Sequence, residues 1–151
     1  MSITLQVKTP ARGAGFDVRL RALAGVSARV GLFDEREAAK GAAHEFGTED
    51  LPARPWMSAA TDAATPKLAA EASRVIGAYV DGNGSPESVW LTVGDIAETA
   101  MRELLLAGQA PGAPLAPETV DEKNSTKPLV RTGAMAAAIT TQVGPVKRGE
   151  E

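Results

Sequence analysis

Apolar and polar residues alternate along the first stretch of the chain: Ile3, Leu5 and Val7 are interleaved with Thr4, Gln6 and Lys8, and Thr9-Pro10 breaks the pattern. A period of two belongs to a strand with one buried face, so a first strand is expected here. Phe16, Leu20 and Leu23 then recur at helical spacing, with Gly25 where a helix often closes on a left-handed residue. Val26, Ala28, Val30 and Leu32 return to alternation around Ser27 and Arg29, which predicts a second strand.

From Phe33 to Pro55 charge, Gly and Pro dominate without a sustained period. An ordered excursion is expected, with a turn or two of helix between Glu37 and His44. Thr65-Pro66 is a helix-start signal, and Leu68, Ala72, Val75, Ile76 and Tyr79 then form one apolar face that Asp81-Gly82-Asn83-Gly84 stops. Ser85-Pro86-Glu87 repeats the start signal. Val89, Val93, Ile96, Ala97, Ala100, Met101 and Leu104 follow as the strongest amphipathic stripe, ending before Gly108. The two helices are expected to pack as a hairpin. Gly108 to Arg131 is proline-rich and aperiodic, so it reads as a long loop. Thr132 can cap a short helix through Met135 and Ile139, and Thr141 and Val143 alternate with Thr140 and Gln142 as a last strand.

These elements predict a single α+β domain over residues 1–146, with a solvated tail at 147–151. Its fold would be a small, mostly antiparallel sheet of three or more strands packed against a helical hairpin, with long projecting loops. At 151 residues the chain suits one core. Apolar residues make up 44% of it but aromatics only 4%, so that core must rest on small aliphatic contacts, and a domain built this way gains from burying surface against copies of itself.

Charge and residue types narrow the chemistry. A net charge of -3 gives no overall basic footprint for nucleic acid, and the absence of cysteine removes disulfides, thiolate nucleophiles and cysteine-based zinc sites. Met1–Lys8 does not read as a secretion signal, and no apolar run of about 18 residues predicts a membrane span. His44-Glu45 lacks the second histidine of a zinc-protease motif, since position 48 is threonine. Asp34, Glu35, Glu37, Glu49 and Asp50 have no regular ligand spacing and read as an acidic surface. Arg131 stands where Thr132-Gly133 would need an aspartate for acid proteolysis, and the scattered glycines form no phosphate cradle. The expectation is therefore no enzyme, cofactor or metal. Residues 33–50 carry six acids against two bases, and residues 121–148 five bases against two acids. Such complementary patches suit a head-to-tail contact between subunits that closes a ring.

A set of short motifs adds a resemblance. They are Val30-Gly31-Leu32; Glu45-Phe46-Gly47-Thr48; Pro52-Ala53-Arg54-Pro55-Trp56-Met57; Leu115-Ala116-Pro117 with Thr119 and Lys123; and Pro128-Leu129 followed by Thr132-Gly133, Met135 and Ile139-Thr140. In order and spacing, over about Ala28 to Val143, they resemble the virion-morphogenesis, tail-completion or neck proteins of tailed phages and prophages. Two positions depart from that pattern: His44 where the family often has Asn, and Arg131 where it often has Asp.

The resemblance implies a non-catalytic virion protein, assembled in the host cytoplasm and added at the head-tail junction. It would form a ring, six subunits by the family's habit, that completes the tail and joins it to the head connector or adaptor. DNA would pass through the lumen without sequence-specific binding, and no membrane would be involved. A tail terminator capping the tube is the alternative in the same class; a small regulatory or nucleic-acid-binding module using the basic loop is the alternative from another. The candidate interface residues are Arg54, Trp56, Lys123, Lys127 and Arg131. Arg54 can present a planar fork and Trp56 a large anchor to a neighbouring surface. The residue types leave open whether Trp56 and Phe46 instead cover the domain's own core, the reading preferred for Phe46.

Overall fold

The computed structural model describes residues 14–112 and 133–146. Along them run α1 (Ala14–Ala24), β1 (Val26–Leu32), α2 (Glu35–Phe46), α3 (Trp56–Val80), α4 (Pro86–Ala107), α5 (Ala134–Ala138) and β2 (Ile139–Pro145). β1 and β2 pair antiparallel, with Val26 opposite Pro145 and Leu32 opposite Ile139. The α3–α4 pair forms the expected helical hairpin, and α4 packs against both strands as well as against α3. The result is a mixed α+β arrangement. The described sheet has two strands, not three; the strand expected at Ile3–Val7 lies outside the described residues, as do the loop from residue 113 to Thr132 and the tail.

α4 follows its sequence signals closely. Ser85 accepts the Ser88 amide while Ser88 accepts the Ser85 amide, a reciprocal cap that satisfies two otherwise orphaned donors. Gly108 closes the helix at φ 70°, a left-handed conformation that glycine adopts without a Cβ penalty. α1 also forms where expected and buries Phe16 and Leu23. Gly25 ends it without being left-handed: its amide bonds back to Arg21 O and Ala22 O.

α3 departs from expectation. It begins at Trp56, and Pro66 sits inside the helix instead of at its start. The Thr65 hydroxyl donates to Thr61 O, 2.8 Å away, and so caps nothing. The buried stripe is Trp56, Ala60, Ala64, Leu68 and Ala72, one residue per turn. Three of those five are alanine, whose side chain is too small to announce a buried face, so the proline outweighed them in the sequence. The exposed ring of Pro66 removes one backbone donor on the solvent side.

The acidic excursion also proves more regular than expected. Asp34 accepts the Glu37 amide at 3.0 Å and starts a helix that runs to Phe46. Buried Gly41 lets this helix lie close to β1 and α3: a Cβ there would meet Leu32 Cδ1 at 2.5 Å and Trp56 Cζ2 at 3.3 Å. α2 is thus docked, not projecting.

The core falls into two clusters. The larger centres on fully buried Trp56, Leu105 and Ile139, with Ala60, Met101, Ala110, Met135 and Ala136 around them. A smaller one joins Leu23, Tyr79 and Val89, backed by half-buried Val75, Ile76 and Trp90. Its polar atoms are paired: Arg19 donates to Tyr79 O at 2.9 Å, Tyr79 Oη donates to Arg19 O, and Trp90 Nε1 donates to Leu23 O.

Candidate interaction surface

The segment from His44 to Ser58 connects α2 to α3, and almost every backbone turn in it is tied down. Gly47 adopts φ 77°, and a Cβ there would press at 3.0 Å on Leu51 O and Ala53 N, so the tight turn needs glycine. Thr48 N donates to Leu51 O, Leu51 N to Thr48 Oγ1, and Arg54 N to His44 O. Pro55, the residue preceding α3, has no side chain with which to cap it. Glu45 reaches across from α2 instead: its carboxylate accepts the Met57 amide at 2.8 Å, the Ser58 amide at 3.1 Å and the Ser58 hydroxyl. A carboxylate at this place satisfies orphaned donors and complements the positive end of the helix dipole.

Two interface candidates are corrected by their burial. Trp56 is 0% exposed and donates from Nε1 to Gly41 O at 3.2 Å, so it anchors this chain's own core and offers nothing to a neighbour. Arg54 is 4% exposed, its stem packed against the backbone of Gly112, and cannot present a fork to another surface. Its buried Nη1 has no hydrogen-bond partner among the described residues. Lys123, Lys127 and Arg131 lie outside the described residues. Phe46, preferred as a core residue on sequence, is 81% exposed. Ten residues apart, Phe46 and Trp56 take opposite places: the one preferred for the core is exposed, and the one left open is buried. The glycine at position 41, poor in a helix interior, was the available sign that something large lies against α2.

Phe46 is among the residues lining an open groove of about 820 Å³. Its walls come from Ala28 and Val30 of β1, Ala42 of α2, Leu68 of α3, and Val93 and Ala97 of α4. Glu45, Ser58 and Thr61 give it a few polar atoms on the α2–α3 side. An apolar groove with so few polar groups can take up apolar side chains through burial. Among the described residues no cluster of His, Asp or Glu has the grouping of a metal site.

α4 also holds β2 and the turn before it. Arg102 donates to Ala136 O at 3.2 Å and Ile139 O at 2.6 Å, and pairs with Glu98 at 2.8 Å; Glu98 in turn accepts the Thr141 hydroxyl at 2.8 Å. Gly94 lies beneath Thr141, where a Cβ would stand 2.4 Å from Thr141 Cγ2. None of Gly94, Glu98 and Arg102 stood out in the sequence, because each looks like an ordinary residue of a helical surface. Compared with protein-family models, curated proteins and solved structures, the chain matches none.

Proposed function

We propose that this chain is a non-enzymatic structural subunit of a tailed-phage particle, a neck or tail-completion protein that works as part of a ring at the head-tail junction. Its neighbours would be further copies of itself, the head connector or adaptor and the tail tube. The observation that carries the reading is the form of the segment Glu45–Met57, where the resemblance to that family is densest. The segment is held by its own backbone bonds and by the Glu45 cap, and it presents one large apolar side chain, Phe46, to solvent. A rigid mount for a single exposed aromatic suits a fixed contact between subunits better than it suits catalysis. Phe33, stacked under the Arg29 guanidinium at 5.8 Å, Leu91 and Leu106 are further exposed apolar residues that an assembly could cover.

Electron microscopy of particles made without this protein tests the proposal. Filled heads lying apart from finished tails support joining. Overlong tails would move the assignment to a tail terminator, and intact infectious particles would reject both.

A further inference from the structure

We propose that the groove beside β1 receives Phe46 of a second copy of this chain, the two copies exchanging their rings across a two-fold axis. The inference rests on the reading of Phe46 as a contact between subunits, and it adds the surface that the ring enters.

One chain carries both halves of such a contact. The projecting half is Phe46, 81% exposed at the last residue of α2. Its mount is already fixed, with the Gly47 amide on Ala43 O and the Arg54 amide on His44 O, so docking costs little further ordering. The receiving half is the groove, where Ala28, Val30, Val93 and Ala97 keep part of their surface open to solvent. Ala42 links the two halves. It is exposed, it lines the groove, and it precedes Phe46 by one helical turn, so ring and groove share one side of α2. A two-fold axis beside that side sets each ring over the other copy's groove, and a single patch becomes complementary to itself. The charged side chain on the wall does not oppose this. Glu45 already accepts the Met57 and Ser58 amides, so an apolar ring arriving beside it strips no partner from the carboxylate.

Area decides which partner fits. A buried aromatic side chain removes about 150–250 Å² from water and its receptor loses a similar amount, so one ring from an unrelated protein would bury roughly 300–500 Å² in all. A specific interface needs about 1,000 Å² or more. A second copy brings a groove as well as a ring, which doubles the figure to roughly 600–1,000 Å². Exposed Ala42 and Ser58, which line the groove in both copies, add to it and carry the contact to the required size. Such a contact closes on itself, so it pairs subunits and leaves the closure of a ring to other surfaces.

A different occupant would leave a different trace. Val146 N donates to Gly25 O at 3.0 Å, and this phase of the ladder turns the Ala28, Val30 and Leu32 N–H groups away from β2. An extended segment laid along β1 would bond those amides, whereas an inserted ring leaves them without a backbone partner.

Native mass spectrometry and sedimentation of the purified full chain test this. The unaltered chain is expected to dimerise. Phe46→Ser removes the ring, and Ala42→Arg obstructs the groove at an exposed position that leaves folding intact; Ala97→Phe fills the groove from α4 as a second obstruction. Each variant alone should self-associate at least about a hundredfold more weakly, having lost two ring burials. Mixing Phe46→Ser with Ala42→Arg restores one intact ring facing one intact groove, so a heterodimer about tenfold tighter than either variant's own dimer is expected. An unaltered chain that stays monomeric overturns the proposal, as does a mixture no tighter than its components, which would mean that the ring meets another surface. Slow exchange at the Ala28, Val30 and Leu32 amides of the monomer would assign the groove to an extended segment and also overturn it. None of these results depends on the virion assignment, which particles made without the protein test separately.

Discussion

The two strands of the small sheet meet α4 in different ways. On the β2 side, Glu98 and Arg102 of α4 reach the α5–β2 junction, and Gly94 lets Thr141 sit directly on the helix. On the β1 side, alternate backbone groups and an apolar groove face outward. Both strands rest on the same helix, and the difference lies in which of its residues face each strand. Arg102, Glu98 and Gly94 hold β2 and the turn before it, while small aliphatic residues such as Ala28 of β1 and Ala97 of α4 leave room beside β1.

That contrast can be broken at its strongest point first. Trp56→Ala removes the largest fully buried side chain and is expected to cost about 3–5 kcal/mol in chemical denaturation, with oligomeric mass lost only as a consequence of unfolding. A loss of assembly at unchanged stability would return Trp56 to the interface. Arg102→Met keeps the stem but deletes the bonds to Ala136 O and Ile139 O; a loss of about 2 kcal/mol is expected. The β2 amides should deprotect before those of α3. Glu45→Ala uncaps α3 and is expected to cost about 1 kcal/mol, with faster exchange at Met57 and Ser58.

Phe46→Ser is expected to leave stability within about 0.5 kcal/mol, because the ring is already in solvent. It should nonetheless lower the assembled fraction in native mass spectrometry, and equal assembly would remove Phe46 from the contact. The smallest effect is expected at Glu71, whose carboxyl is held below its ordinary range by hydrogen bonding to Arg74 and by that cation's charge. A lowered carboxylate contributes above its unfolded-state range, and the contribution fades as pH falls through the lowered value. The pair is fully exposed and screened, so Glu71→Gln should lower the denaturation midpoint only marginally at neutral pH, and the two chains should converge as pH falls through the lowered value.

What the sequence determined by itself is the set of elements whose signals are local. The reciprocal cap at Ser85 and Ser88, the stop at Gly108, the alternation of β1 and the period of α1 each act within a few residues, so composition and spacing reveal them. α3 was legible only in its second half. Its first ten residues are held by a cap from Glu45, twelve and thirteen residues upstream of the amides it satisfies, and no local pattern encodes that.

Only the tertiary structure decided which aromatic faces inward. Phe46 and Trp56 are equally apolar in a sequence window. The close approach of α2 at Gly41 makes a slot with a carbonyl at its end, and an indole fills that slot while satisfying its own N–H; a phenyl ring has no such donor to offer. Burial is a property of neighbours brought together by the fold, and for that reason the candidate surface at Phe46 could not be read from residue type.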